Sequence, residues 1–493
     1  MAKTPKGDIV FISGNFNVLH AGHIRLFDFA RNFGAPLVVG VISDKYAGAA
    51  AYVEESDRFE AVKTNKRVHE AILIDEPLET VLRRLQPTVV IKGREFEHQI
   101  NVEEKILQEW GGRLIFGSSE ISLSSLELMK RELGSQSEPG IHLPEAFRKR
   151  YSISADRLLS FLRDFQNLKV CVIGDLIVDE YISCESLGMS REDPSLVVTP
   201  IDSRKFLGGA GIVAAHASAL GAFSSLVTVM GGDENGTFAT ELLNQYGVTT
   251  EPIIDDSRPT TLKQRYRAEG KTLLKVSHLH QRSISPVLQD AVFNRFMTAI
   301  ESADLIVFSD FNYGCLPTRL IDRLIEGAQA FQIPCIADSQ SSSQVGDVSK
   351  FKNMTLISAT EREVRIGLRN NDDGLTYLAE RLRTITNSSH ILMKLGAEGV
   401  LVHTSSADGL SLTNQLPALN CHPVDVAGAG DSMLISAGLA LAAGAMIWEA
   451  ATVGSIASAL QVGRLGNQPI FMTELLSAID VTLAKTEHRK YTK

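Results

Sequence analysis

Gly14-Asn15-Phe16-Asn17-Val18-Leu19-His20-Ala21-Gly22-His23 follows a short apolar run, Ile9 to Ser13. It leads into a helical pattern with Leu26, Phe29, Ala30 and Phe33 on one face. A strand that turns through glycine into a helix gathers backbone amides and the positive end of a helix dipole at one spot. His20 and His23 are three apart, so both imidazoles fall near one helical turn. Gly22 lets an anion approach the backbone, and Gly14 ends the strand tightly enough to open that space. Transfer of a nucleotidyl group needs this equipment: an oxyanion attacks the α-phosphorus, pyrophosphate leaves, and catalysis is positioning and charge stabilisation. No Cys or His cluster accompanies the pair, which disfavours zinc.

Outward from this stretch, Leu37–Ile42, Ala71–Ile74, Val89–Ile91 and Leu114–Phe116 are continuous apolar runs separated by helical segments. Such runs predict a parallel sheet covered on both faces. Residues 1–135 are expected to form one doubly wound α/β domain and 136–150 a linker, with the linker composition of Gly134–Gly140 spanning that boundary. A second strand–helix rhythm fills 151–493, with a helix at Ala155–Phe165 and buried strands at Val170–Ile173, Leu226–Val229, Leu305–Phe308, Cys335–Ala337, Leu356–Ile357 and Ile391–Met393. Tyr181–Cys184, Leu196–Thr199 and Leu262–Arg267 alternate more, which predicts a small half-exposed sheet acting as a lid.

Within this second region stands Asp425-Val426-Ala427-Gly428-Ala429-Gly430-Asp431. Phosphoryl transfer to an alcohol needs a base near the hydroxyl and donors around the moving phosphate. Gly428, Ala429 and Gly430 expose successive amides at a helix start, and Asp431 can receive the hydroxyl proton. The weakly polar run Met433–Trp448 is shorter than a membrane span of ~20 residues and reads as one buried helix.

At 493 residues the chain is too long for one core. The net charge of −9 argues against a general nucleic-acid binder. Five scattered cysteines without C-x-x-C pairing suit reduced thiols and a cytoplasmic location. No signal-peptide segment opens the chain, and neither membrane nor nucleic acid is an expected partner.

The first region resembles the cytidylyltransferase-like nucleotidyltransferases over about residues 8–133. The resemblance implies a Rossmann-like domain with His20 and His23 catalytic. It assigns nucleotide contacts to Gly14, Phe16, Asn17, Gly22, the mid-domain Arg58, Lys92 and Gly93 of Val90-Ile91-Lys92-Gly93, and Ser122 and Ser124 of a serine-rich second signature. Leu123 stands where Ser or Thr is usual, and Asn17 where Asp is frequent. The second region resembles the ribokinase-like sugar kinases over about 155–483. That implies Asp431 as base, Gly428–Gly430 as anion hole, Gly396 and Gly399 near the nucleotide, and Glu363 as metal-linked carboxylate. Asp175, Asp179, Gly208, Gly209 and Asp310 would contact the sugar, and Gly232-Asp233-Glu234-Asn235-Gly236 matches a family turn. Ala427 replaces a usual Thr, Thr360 an Asn, and Tyr313 a common Lys. Ile212 and His216 occupy places where Asn is frequent, which predicts an altered acceptor pocket.

The two regions together resemble a bacterial family of bifunctional heptose enzymes, with the domain order reversed. The resemblance implies a homo-oligomer using Mg2+, with ATP, or CTP at the N-terminal site, and sugar phosphates as small-molecule partners. Its family phosphorylates heptose 7-phosphate at C1 and later adenylylates the 1-phosphate. Two alternatives stay open: a nucleotidyltransferase fused to a non-catalytic, ligand-sensing kinase fold, and a bifunctional enzyme for another sugar or polyol.

Overall fold

Parallel strands buried on both faces form the centre of each half of the chain. The computed structural model describes residues 9–19, 21–31, 33, 35–93, 102–117, 141, 143–190, 192–268, 271–340, 346–406, 410–420 and 423–488. The chain divides into two units, Met1–Glu138 with Asn370–Leu378, and Pro139–Arg369 with Ala379–Lys493.

In the first unit the strands are β1 (Val10–Gly14), β2 (Leu37–Ile42), β3 (Glu70–Ile74), β4 (Val89–Gly93) and β5 (Arg113–Gly117). Their order is β3-β2-β1-β4-β5, all parallel. Side-chain alternation along β1 explains the two cores. Val10 and Ile12 pack with Leu26, Phe27 and Val39, while Ile9 and Phe11 pack with Val38, Val81 and Leu82 on the other face. The chain leaves β1 in opposite directions, so a crevice opens at the carboxyl ends of β1 and β4. Gly14 and Gly93 end those two strands.

The second unit carries β6 (Lys169–Gly174), β7 (Leu176–Met189), β8 (Leu196–Gly209), β9 (Phe223–Val227), β10 (Val229–Met230), β11 (Thr249–Thr250), β12 (Ile253–Ile254), β13 (Thr261–Ala268), β14 (Lys271–His278), β15 (Leu305–Asp310), β16 (Cys335–Ser339), β17 (Leu356–Thr360), β18 (His390–Lys394), β19 (Val400–Ser405) and β20 (Ser411–Leu416). Its main sheet runs β11-β9-β6-β15-β16-β17-β18-β19-β20, parallel up to β18 and antiparallel beyond. The expected lid exists as a second sheet, β14-β13-β7-β8, and β10 pairs with β12. β14 escaped the sequence reading because most of it is exposed, so no buried alternation marks it.

Two features depart from expectation. The run read as one buried helix is two, Ala429–Ala442 and Ile447–Val462, because Gly444 turns the chain at φ 89°. Both helices are apolar nearly all round, so no change of pattern signals the break. Within the stretch expected as linker, Glu145–Arg150 is a helix. Phe147 is buried in the second unit's core, and the Tyr151 ring stacks on Trp448 at 4.0 Å.

Candidate active sites

The first crevice is built on a strained turn. Phe16 has φ 49°, a left-handed conformation that costs a non-glycine residue about 1–2 kcal/mol. Its ring compensates by burial against Phe27 and by an edge contact with His23 at 5.0 Å. Gly14 lies beneath that ring, where a Cβ would make a tight contact of 3.2 Å. Phe16, expected at the nucleotide, is therefore a core residue that shapes the loop. Asn17 is also turned inward, donating to Ala50 O at 2.8 Å and accepting from Tyr52 N at 2.8 Å.

Arg58 departs most from its expected role. It is 1% exposed and donates to Val53 O, Asn15 O and Ile42 O at 2.7, 2.7 and 2.8 Å, with Asp44 as ion partner. A guanidinium so occupied braces the loop rather than meeting a phosphate. Lys92 is partly exposed at the crevice and pairs with Glu103 at 2.8 Å. Gly22 and His23 lie in the first turn of the Ala21–Arg31 helix. His20, Ser122 and Ser124 fall outside the described residues.

The second site collects at the carboxyl ends of the parallel strands and under the lid. Gly428 takes φ 74° as N-cap of the Ala429–Ala442 helix, and a side chain there would collide with Asn467. Asp431, in the helix's first turn, is buried and accepts from Gln340 Nε2 at 3.1 Å. Burial, reinforced by the Asp338 carboxylate, pushes its pKa up to about 7. Across from it, Lys394 Nζ at the end of β18 pairs with Asp338 Oδ2 at 2.6 Å. A Cβ on Gly430 would lie 3.1 Å from that ammonium, so Lys394 stands beside the entry to this helix. Burial raises Asp338 to about 6, against the pull of Lys394. Gly396 and Gly399, at φ 63° and 94°, form the adjoining turn after β18.

Three carboxylates, Asp175, Asp179 and Asp310, were expected to contact the sugar, and the structure separates them. Asp179, on β7, is buried with Arg265 Nη2 3.6 Å away. Gly208 is required opposite it, since a Cβ there would meet Asp179 Oδ2 at 2.5 Å. Asp175 instead accepts from the amides of Phe311, Tyr313 and Cys315 at 2.8, 3.3 and 3.2 Å. Asp310 accepts from Asn312 N at 3.0 Å and pairs with Lys350 at 2.6 Å. These two hold loops, so Asp175 and Asp310 are positioned as scaffold rather than as sugar contacts. Asp233 likewise caps the Glu234–Gln245 helix through Gly236 N and holds Thr260 N, both at 2.8 Å, fixing the start of β13.

The altered acceptor pocket at Ile212 and His216 is not what the structure shows. Ile212 is fully buried in the main core. His216 is fully buried too, accepts from Ile470 N at 3.1 Å, and is pushed down to about 3 by burial, so it is neutral. Tyr313, which replaces a common Lys, lies beneath the Lys263 ammonium at 5.0 Å. The positive charge comes from β13 instead.

A family model described as pfkB family carbohydrate kinase matches residues 167–473. The chain belongs to this family. A cytidylyltransferase-like model matches residues 11–152, so the transferase-like domain precedes the kinase domain. "Bifunctional protein HldE" of Desulfatibacillum aliphaticivorans is 30% identical over 315 residues, 63% of this chain and 63% of that protein. The protein of that name from Caulobacter vibrioides is 30% identical over 326 residues, 65% of each. The match thus spans under two thirds of these relatives. Phosphofructokinase-2 of Escherichia coli, a structure with substrates and products, superposes with TM-score 0.53 at 18% identity, covering 64% of this chain and 99% of that one. Ribokinase of Thermotoga maritima gives 0.50 at 20%, with 64% and 99% covered. Both share the fold.

For this pfkB kinase domain, sequence reading missed Asp338, Lys394, Gln340 and the β13 cations. None sits in a glycine-marked motif. One signal was present: Lys394 directly precedes the Leu395-Gly396 turn at a strand end, a position that faces the crevice in parallel sheets. Among the described residues no group of three or more His, Cys, Asp or Glu side chains could hold a metal by itself. No described helix is long and apolar enough to cross a membrane.

Proposed function

We propose that this chain is a bifunctional enzyme of nucleotide-sugar synthesis, with heptose 7-phosphate as kinase acceptor and a sugar 1-phosphate as transferase acceptor. The observation that carries the kinase half is Asp431, a buried carboxylate raised to about 7 at the mouth of a glycine-opened helix. A base of that pKa is half ionised near neutrality and takes a hydroxyl proton efficiently. The acceptor oxygen then attacks the γ-phosphorus of ATP, and the bond to the β-phosphate oxygen breaks. The amides of Gly428–Gly430 receive the growing negative charge, and Lys394 stands ready to leave Asp338 for the same oxygens.

A Mg2+ ion bound with the nucleotide would supply neutralisation of phosphate charge. Asp338 fits this partnership, since its Oδ1 is buried without a hydrogen bond among the described residues. Glu363, tied through Oε2 to Thr360 N at 2.7 Å, faces the same field and would help hold the hydrated ion. At the first site His20 and His23 would stabilise charge on the α-phosphate while pyrophosphate leaves, with ATP as the nucleotide and CTP as the competitor. Two phosphate sites also suit relatives named bifunctional. Incubating the full chain separately with ATP and CTP, with heptose 7-phosphate, heptose 1-phosphate and other sugar phosphates, and weighing the products tests both halves. A bisphosphate and a nucleotide sugar are expected. Absence of ATP consumption with every acceptor tried would leave the kinase domain as a ligand sensor.

A further inference from the structure

Gln340 follows directly after β16 and belongs to no glycine motif. Its backbone N donates to Asp310 O at 2.8 Å, which carries the β15–β16 ladder one residue past the strand end. Side chains two apart on extended backbone leave the same face, so Gln340 emerges beside Asp338. Its Nε2 donates to Asp431 Oδ1 at 3.1 Å. The end of the amide that meets a carboxylate has to be the NH2 group, because two acceptors would repel. Lys394 gives its hydrogen bond to Asp338 at 2.6 Å instead. Among the described residues, Gln340 is thus the hydrogen-bond donor to the Asp431 carboxylate.

The backbone of Gln340 is braced from the opposite side. Its O accepts from Asn312 Nδ2 at 3.1 Å. Asn312 takes the left-handed φ of 59°, and its N donates to Asp310 Oδ1 at 3.0 Å. Lys350 Nζ donates to Asn312 Oδ1 at 3.1 Å and pairs with Asp310 Oδ2 at 2.6 Å. Ser339 Oγ donates to the same Asp310 oxygen at 3.1 Å. Asp310, expected at the sugar, is therefore the foot of a brace that ends at Gln340. The brace has something to resist. The charged groups acting on Asp431 are Asp338, Lys394, Asp179 and Lys263, and two of them are carboxylates. A carboxylate facing like charges turns away from them unless a donor holds it. A general base has to present one oxygen to the hydroxyl in a fixed direction, and a misplacement of about 1 Å can cost a hundredfold in rate.

We propose that Gln340 is a positioning residue for the base: its side-chain amide clamps Asp431 Oδ1, leaves Oδ2 to take the acceptor's proton, and is itself held by the Asp310–Asn312–Lys350 brace. This deepens the kinase reading above and rests on it for the role of Asp431. The test is steady-state kinetics of the full chain with ATP and heptose 7-phosphate. Gln340→Met, of similar length but without the donor, should lower kcat about ten- to hundredfold, with KM for both substrates within about twofold of wild type. Gln340→Lys brings a donor back to the same place and should recover most of that loss. Gln340→Glu sets acceptor against acceptor and should lose at least as much as Gln340→Met. Asn312→Gly keeps the left-handed turn and removes the brace. It should lower kcat in the wild-type background and have no further effect in Gln340→Met, because it acts through Gln340.

Wild-type kcat in folded Gln340→Met overturns the proposal. So does a loss carried by KM, which would make Gln340 a substrate contact, and so does a Gln340→Lys variant no better than Gln340→Met. An Asn312→Gly loss that is undiminished in Gln340→Met overturns the brace. A wild type that turns over no acceptor removes the kinase reading, and stability then decides the clamp. In thermal denaturation at pH 8.5, Gln340→Met should lower the Tm of the kinase unit in the wild-type background but not in Asp431→Ala. Equal losses in both backgrounds overturn the clamp.

Discussion

At the residue scale the decisive quantity is the protonation of Asp431. Its folded pKa of about 7 lies above the ordinary carboxylate range because burial disfavours the charge. Kinase kcat/KM should therefore climb with pH through about 7 and level off above it. Asp431→Asn should cut kinase turnover about 10²–10⁴-fold, the usual share of a general base, while pyrophosphate release at the first site stays intact. Loss of both activities in a folded variant would contradict separate sites. The linkage has a definite sign. A raised folded pKa means that ionisation costs stability as pH rises through about 7. Asp431→Asn should accordingly raise Tm at pH 8.5 more than at pH 5, measured by thermal denaturation. Lys394 lowers the pKa of Asp431, so Lys394→Met should move the rising limb of the pH profile upward. An unmoved limb would show that the ammonium does not act on the base. At the first site, His23→Ala should lower nucleotidyl-transfer kcat by about 10²–10³-fold. Normal kcat in that variant would remove His23 from the mechanism.

Elements decide whether these residues meet. The proposed anion hole depends on the entry to the Ala429–Ala442 helix, where Gly428 sits at φ 74° against Asn467. Gly428→Ala combines a left-handed penalty of about 1–2 kcal/mol with a collision. Kinase activity and the stability of this unit should both fall, and nucleotidyl transfer should persist. Wild-type kinase activity in Gly428→Ala would show that the helix entry can relax. The sequence displayed this element clearly, since two glycines and a terminal carboxylate fall together. It displayed the lid only as alternation. The strand Thr261–Ala268 alternates cations, not apolar residues, on the face that meets Asp431. A charged stripe ordinarily signals a solvated face, and only the sheet above the site reverses that reading.

Across the whole molecule, each unit has its own strands and core, and fragments 1–138 and 139–493 are expected to fold separately. The start of the kinase fragment matters. Phe147 and Tyr151 pack on Trp448, so a fragment beginning at 152 should be less stable than one beginning at 139. Burial of one phenylalanine alone is worth about 1.5–3 kcal/mol, and denaturant titration of the two fragments reads the difference. Equal midpoints would show that the Glu145–Arg150 helix contributes nothing. The apolar runs made the core strands of both sheets legible, because a parallel strand covered on both faces has to be apolar throughout. The Glu145–Arg150 helix was not legible, because three basic residues in its last turn hide a single buried phenylalanine.

By itself the sequence determined two α/β cores, their order, and two glycine-opened helix entries with His23 and Asp431 in place. Those features are local: periodicity, turn chemistry and residue type act within a few positions of one another. Tertiary structure alone decided which polar groups face a cavity. Asp175 and Asp179 are four residues apart, yet one is consumed by loop amides and the other is left facing Arg265. Arg58 was likewise turned beneath its loop, and Lys394 brought to Gly430 from another strand. A buried charge must be met by whatever donors or counter-charges the fold places around it, and those partners lie far away along the chain.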